Sequence, residues 1–582
     1  MDQRPIAASP WLLREPIVSR AAVVTLVLSA VVMLVLLIFV GRWLTFWHDE
    51  WDWILYRREP SVATLLDPHV DHLSAVAVLV YQGLLRTFGL PSYFPYLAVS
   101  WALHFGSVAL LFIIVRRRAG PLIGLGAGLS LLFLGSGYEV LLHPFLMTFL
   151  LSTAFGLLAI ERLSAPNVAR ANYVVAGIAL LVAVGSSSVG VLFAGLIVVW
   201  AVLDRDWRRL LTAVPTLTLY AVWYATWGRS ASGLAGTTES DIALIPAKFL
   251  YGIGAAVSAV AGLPPERFAW LGLGLAVGLA VIAAIGWRFG ARFTSLACAA
   301  LLALIAEYGL QAFFRARFGI EQSTRSAYLY PAAIFLWLAA AEISSPLERT
   351  LSRRPLMVAG LAILLALMVV GNMTQFVGAA RGSRTFRQAE IAQLRLLEAM
   401  AMSPALDRAA APVGAVPQIT AGAYLEATSI LGKPHLAIAE PTLMNLGPVD
   451  PQQMDASLIR LLGDSFAAID HEPDTTQPED VTTAGVLASQ PLGGCLRLEA
   501  QAEGASASWH PQGVGVLVRN SAGPAADVRV GVFGDPTPLA EVGTLPDGSR
   551  TIALPELPSG LTWTVQVAMA AGDVVEVCDI QP

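Results

Sequence analysis

Apolar runs dominate the first two thirds of the chain. Between residues 21 and 376 they recur at or near the ~20 residues that cross ~30 Å of hydrocarbon, broken by short segments bearing arginine or proline. This pattern predicts spans at 21–40, 96–115, 122–134, 145–160, 173–184, 189–202, 210–227, 268–287, 295–313, 327–342 and 356–376. The first run is too long for a cleaved signal segment and is read as a retained span. Past residue 376 the pattern changes. Helical spacing over 384–402 gives way, after Pro412 and Pro417, to alternating stretches at 514–519, 527–533, 551–554, 562–569 and 574–578, separated by Gly, Pro, Asn or Asp. That spacing is the pattern of an all-β sandwich. The expected organisation is a transmembrane domain over 1–380, a helical connector over 381–410 and a β-rich domain over 411–582.

Composition narrows the class. The 582 residues are 56% hydrophobic and 14% charged, with a mean hydropathy of +0.64, which excludes a soluble enzyme and a disordered chain. Residues 1–380 carry a net +7 and residues 381–582 a net −12, so two compartments are implied. Lys248 and Lys433 are the only lysines. With so much Ala, Leu, Val and Gly, this is the composition of a GC-rich bacterial genome.

Arginine placement orients the spans, because cytoplasmic loops retain positive charge. Arg4, Arg14 and Arg20 put the N-terminus inside and the loop 42–95 outside, and Arg116, Arg117 and Arg118 return inside. Segment 72–90 therefore lies along the outer face as an interfacial helix, ended by Pro91 and Pro95. Segment 245–263 decides the parity. On the outer face it leaves 11 spans and an outside C-terminal domain; as a span it would move that domain to the cytoplasm. About 11 spans, within a range of 11–13, keep the arginine-rich loop 348–354 inside. Cys495 and Cys578 either pair, if their domain is extracytoplasmic, or remain two buried thiols.

Candidate chemistry is concentrated after the first span. Trp47-His48-Asp49-Glu50-Trp51-Asp52-Trp53 sets three carboxylates at a membrane boundary, where they must face water, a cation or a reacting group. Asp67-Pro68-His69-Val70-Asp71-His72 adds two acids and two histidines. A second outer loop, 137–144, offers Glu139 and His143 at i and i+4. A third carries Arg315, Arg317 and Arg325, with Tyr328 one turn after Arg325. Three arginines outside run against the positive-inside trend and call for an anion, which the guanidinium fork suits when it is a phosphate. His104 is expected to pack against a neighbouring hydroxyl or carbonyl. Trp509, His510 and Trp563 are candidates to stack on a glycan, or else core.

The order of hydrophobic span, acidic pair Asp49-Glu50, interfacial helix ending Phe88-Gly89-Leu90 and proline-broken entry to the next span resembles the GT-C class of integral membrane glycosyltransferases. That class includes protein mannosyltransferases, aminoarabinose transferases and actinobacterial arabinosyltransferases. The resemblance spans about residues 15–380, with Asp49-Glu50 as the motif. It implies a GT-C-like polytopic helical fold with an extracytoplasmic β-sandwich in the plasma membrane. It also implies an inverting transfer of sugar from a polyprenyl-phosphate donor to an envelope glycan, lipid or protein, in the service of cell wall biogenesis.

Asp49 would be the base, with Glu50 as the fallback, and Arg325, Tyr328, Arg315 and Arg317 would hold the donor phosphate. Asp52, His72, Glu139 and His143 would support the site or bind acceptor. A divalent cation, magnesium or manganese, on Asp49, Asp52, Glu139 and His143 is one further expectation. Membrane lipids are expected partners; nucleic acid is not. The competing reading is a transporter or flippase of a lipid-linked or anionic solute, which would place ionisable groups at mid-span, where Glu307 is the candidate.

Overall fold

The computed structural model describes residues 15–69, 72–165, 168–231, 238–288, 294–343, 354–434, 449–466, 474–489, 494–522, 527–534, 536–538 and 550–581. The chain forms two compact units. One comprises Met1–Leu44 and Arg57–Gly382; the other comprises Thr45–Tyr56 and Ser383–Pro582. The loop that follows the first helix is thus divided, and the turn that carries Asp49 belongs with the C-terminal part of the chain.

The first unit is helical. Among the described residues six helices are long and apolar enough to cross a membrane, or seven if Pro121–Leu132 and Gly135–Leu142, bent by 43°, make one span. The count falls below the expected 11 because the expected spans 173–184, 189–202 and 327–342 fall on apolar helices shorter than 18 residues, Arg170–Val184, Val189–Asp204 and Ser326–Ala341. The expected span 210–227 falls on Trp207–Thr226, which is long enough but not among the six; Ile245–Val260, not expected to span, is likewise short. At 1.5 Å per residue the 16 residues of Ile245–Val260 reach about 24 Å. Glu15–Gly41 exposes Val24, Val27, Leu28, Val31 and Val35, as suits a helix surrounded by hydrocarbon rather than water. Ala75–Phe88 is a 14-residue helix that buries Ala77, Val78, Tyr81 and Leu85 and leaves Leu79 and Phe88 open. It is too short to span, and the next helix, Phe94–Ala119, begins at the prolines expected to break the chain.

Ile245–Val260 turns tightly into Pro265–Arg288. Gly262 makes the turn at φ +79°, and a Cβ there would lie 2.5 Å from the Met368 carbonyl oxygen, so both conformation and space demand glycine. His104 is buried between the Tyr330 hydroxyl (2.9 Å) and the Leu132 carbonyl (3.3 Å), the packing role its sequence position suggested.

Pro355–Met400 is one uninterrupted helix of 46 residues, about 69 Å long, more than twice the ~30 Å of hydrocarbon. A span and a separate connector were expected over this stretch. The polarity changes at Arg381, but nothing there interrupts the backbone hydrogen bonding.

In the second unit, the described strands form two antiparallel sheets. Val574–Ile580 pairs with Leu496–Ala500 on one side and Gly515–Ala522 on the other; Val486–Ser489 and Arg550–Ala553 extend that sheet, and Thr475–Thr476 also pairs with Val574–Ile580. The other sheet runs Thr482–Ala484, Ala505–Trp509, Thr564–Met569, Asp527–Gly531, Thr537–Pro538. All five expected strands are present. A disulfide joins Cys495 to Cys578, linking the neighbouring strands at their Leu496–Val577 register.

Trp509 and Trp563 are buried: the indole N–H of Trp509 donates to Asp579 (2.9 Å) and that of Trp563 to the Pro555 carbonyl (2.9 Å). They are therefore core residues and not a glycan platform. Burial lifts the Asp579 carboxyl above its usual range, against the opposing pull of the Gln512 N–H and the Trp509 indole. Helix Pro451–Leu462 is tied to this core by buried Asp455, which accepts from the Val532 and Phe533 amides at 2.6 and 3.1 Å.

Candidate functional site

The acidic turn is held by its own tryptophans and by one carboxylate far along the chain. His48 takes φ +51°, a left-handed conformation that costs a residue bearing Cβ roughly 1 kcal/mol, so the surroundings must fix it. Glu390 does so. It accepts from the His48 amide (3.4 Å) and the Trp51 indole (2.9 Å), and its second oxygen lies 3.3 Å from His48 Nδ1. Arg387 donates to the Thr45 carbonyl, and Trp51 packs on Tyr424 with ring centroids 5.2 Å apart. Burial, with Glu398 and Glu390 nearby, pushes the Tyr424 hydroxyl well above its ordinary pKa.

Within this frame the three acids differ. Glu50 is 1% exposed and accepts the Trp47 amide at 2.9 Å, so it closes the turn that opens helix Glu50–Tyr56. Asp52 is half-buried, and Asp49 stands exposed. Of the expected catalytic pair, Asp49 alone has its carboxylate open to a reactant.

In the helical unit, the rest of the first loop is fixed by Arg57, which donates to the Asp67 carboxylate (2.9 Å) and to the carbonyls of Asp67 and Pro68. His69 and His72 exchange backbone hydrogen bonds at 3.1 and 3.0 Å, and His72 Nδ1 meets the Ser188 hydroxyl at 2.8 Å. That contact ties the loop to the break between Arg170–Val184 and Val189–Asp204, where the Val76 amide donates to the Gly185 carbonyl. His72, Ser188, Glu307, Gln311, Arg315 and Tyr328 all line one cavity of about 330 Å³. His72 in the first loop and Arg315 and Tyr328 in the third therefore share a site, although more than 240 positions separate the loops.

The loop 133–146 docks on the start of helix Ser326–Ile343 and on Asn372. Gly135 lies so close to Asn372 that a Cβ would sit 1.9 Å from its carbonyl oxygen, and the Gly135 amide donates to the Asn372 side chain at 2.8 Å. The loop then turns into Tyr138–Leu142, capped by His143, whose amide donates to the Glu139 carbonyl. Ser326 donates to the Ser136 carbonyl at 2.5 Å and accepts the Glu139 amide at 3.4 Å. These bonds set the Glu139 carboxylate 3.6 Å from the Arg325 guanidinium, which is 60% exposed. Arg325 precedes the first turn of Ser326–Ile343, and its carbonyl accepts the Tyr328 amide. Arg317 is exposed and lies over Phe318 at 4.6 Å, and the buried Arg315 has its carbonyl held by Lys248.

His72, Arg315 and Tyr328 are thus brought together, as are Glu139 and Arg325. Asp49, Glu50 and Asp52 belong to the other unit. Glu390, Gln311 and Ser188 escaped sequence reasoning: each is an ordinary polar residue of a helix or a serine-rich break, with no motif to mark it. Among the described residues no group of three or more His, Cys, Asp or Glu side chains is arranged to hold a metal ion.

No family model matches the chain, and no curated protein matches it. Two solved structures do: ArnT from Cupriavidus metallidurans, bound to undecaprenyl phosphate and in the apo state. They are 15% and 17% identical to this chain, each with a TM-score of 0.42, and each match covers 66% of this chain and 81% of the other. The chain itself carries apolar helices suited to a multi-pass membrane protein and ends in a β-rich region.

Proposed function

We propose that the chain is an inverting membrane glycosyltransferase. It would move a sugar from a polyprenyl-phosphate donor to an envelope glycan, lipid or protein on the outer face of the plasma membrane. The observation that carries this reading is the cavity that gathers His72, Arg315 and Tyr328 from distant loops in a helical unit, with Arg325 and Glu139 paired in the adjoining loops. Arg315 and Tyr328 would meet the donor phosphate at the cavity, Arg325 and Arg317 would draw it in, and Phe313, Phe314 and Phe318 suit an isoprenoid chain. The disulfide supports an extracytoplasmic C-terminal domain, because such bonds persist in oxidising compartments.

Asp49 is assigned as general base. The acceptor hydroxyl gives its proton to the Asp49 carboxylate as its oxygen bonds to the anomeric carbon, and the bond from that carbon to the phosphate oxygen breaks. The leaving lipid phosphate needs positive charge rather than a proton, which the arginines supply. Glu50 acts through the backbone, holding the turn that presents Asp49.

Transfer assayed in membranes with polyprenyl-phosphate sugars tests the assignment. Asp49→Asn is expected to lose about 10²–10⁴-fold in kcat, the span usual for general-base catalysis. Arg325→Ala is expected to raise KM for the donor about tenfold or more. Wild-type turnover in Asp49→Asn removes the base, and an unchanged donor KM in Arg325→Ala removes that residue's phosphate role.

A further inference from the structure

Glu307 is the one acid on the helix Ser295–Phe314, and its geometry is unusual. The side chain is 4% exposed, and neither carboxylate oxygen has a hydrogen-bond partner among the described residues. Gln311 follows one turn later. Its side-chain oxygen accepts from the Ser323 hydroxyl at 3.1 Å, which fixes the amide, and its buried Nε2 has no acceptor among the described residues. Both residues line the cavity that also holds Arg315 and Tyr328.

A buried polar group left unmet costs roughly 1–3 kcal/mol, more when charged, a cost that applies to both Glu307 oxygens and to Gln311 Nε2. A partner from outside the chain is the simplest way to satisfy them. The surrounding walls narrow its chemistry. Phe149, Tyr220, Tyr224 and Phe314 offer aromatic faces, with Leu192 and Leu310 between them. An isoprenoid tail would fit such walls but would leave Glu307 and Gln311 as unmet as before. A ring with hydroxyls on its edge and C–H groups on its face satisfies both. The cavity volume, about 330 Å³, lies at the lower end of small-ligand sites, ~300–1,000 Å³. Along the helix, Glu307 lies eight residues from Arg315, about 12 Å, and Gln311 falls between them on the same side.

We infer that this cavity is a sugar-binding pocket, in which Glu307 and Gln311 hydrogen-bond the hydroxyls of a sugar ring packed against Tyr220 and Tyr224. The inference rests on the glycosyltransferase reading and deepens it, since these two residues would select the sugar. The ring belongs either to the donor or to the acceptor, and the chemistry of recognition is shared.

Full-length protein in nanodiscs tests this with two sets of probes. One compares bare undecaprenyl phosphate with undecaprenyl phosphate carrying glucose, mannose or arabinose. The other uses the free methyl glycosides of the same sugars. The expected result is that one sugar-bearing lipid binds about tenfold more tightly than the bare lipid, as two hydrogen bonds would give. That increment should vanish in Glu307→Leu and in Gln311→Leu, with partial retention in Glu307→Gln. Tm should hold or rise in Glu307→Leu, because an unmet carboxyl has been replaced by an apolar side chain, so loss of folding would not account for the loss of binding.

Methyl-glycoside binding that depends on Glu307, with no increment on the lipid, assigns the pocket to the acceptor sugar and also supports the inference. Binding that is absent in both sets, or indifferent to Glu307, overturns it. Bare undecaprenyl phosphate reports separately: if it fails to bind, the donor class fails while the glycosides still decide the pocket.

Discussion

Glu390 is the residue whose removal should be felt most locally. It holds two parts of one turn from 342 and 339 positions away, through the His48 amide and imidazole and the Trp51 indole. Glu390→Ala leaves the Trp51 indole N–H without its acceptor in a buried setting, an expected cost of about 2–4 kcal/mol. Glu390→Gln retains one acceptor oxygen and should cost about half as much. Hydrogen exchange over residues 47–56 measures this directly: protection there should fall in Glu390→Ala while the sandwich strands stay protected. Unchanged protection would mean that the turn is held by the packing of Trp51 on Tyr424 instead. At this scale the sequence was half readable. The cluster of acids beside tryptophans announces Asp49, because carboxylates at a membrane edge are costly. Glu390, set in an ordinary helical run of Gln, Ala, Glu and Ile, gives no sign, since its partners are distant and local pattern carries no information on them.

Elements were legible where hydropathy alone decides them and less so where backbone geometry does. Five strands were found, whereas Leu496–Ala500 was missed despite its alternation of apolar and charged residues, and Ala505–Trp509 was missed because alanine and serine alternate with little contrast in polarity. The helix Pro355–Met400 was read as two elements because its polarity changes, yet hydrogen bonding along a helix is indifferent to polarity and continues through Gly382. Close approach was equally invisible: Gly135 looks like any loop glycine, but it is where the loop before Tyr138–Leu142 meets Asn372. Gly135→Ala should displace that loop and cost about 1–3 kcal/mol, seen as a lower Tm of the full chain. A wild-type Tm would show that Asn372 can yield. Because the same loop sets Glu139 beside Arg325, donor KM should rise in this variant while Asp49 is untouched.

At the level of the whole molecule, the chain divides into two bodies that the change in charge and hydropathy near residue 380 foreshadows, except that Thr45–Tyr56 joins the second. That exchange is not readable from composition, because the acidic turn follows an apolar span and looks like part of it. The cysteine pair, left open by sequence, closes a loop over a separation of 83 residues. Reduction, or Cys578→Ala, should cost the second unit about 2–5 kcal/mol and lower its melting transition, leaving that of the helical unit in place. A single unshifted transition would mean the bond adds nothing to the fold.

The central claim is that Asp49 deprotonates an acceptor hydroxyl while arginines receive the departing lipid phosphate, and single-turnover transfer in membranes measures it most directly. With a polyprenyl-phosphate sugar at saturation, Asp49→Asn should bind donor as the wild type does and transfer sugar about 10²–10⁴-fold more slowly. Transfer at the wild-type rate by Asp49→Asn, or no transfer by the wild type from any polyprenyl-phosphate sugar, contradicts the account.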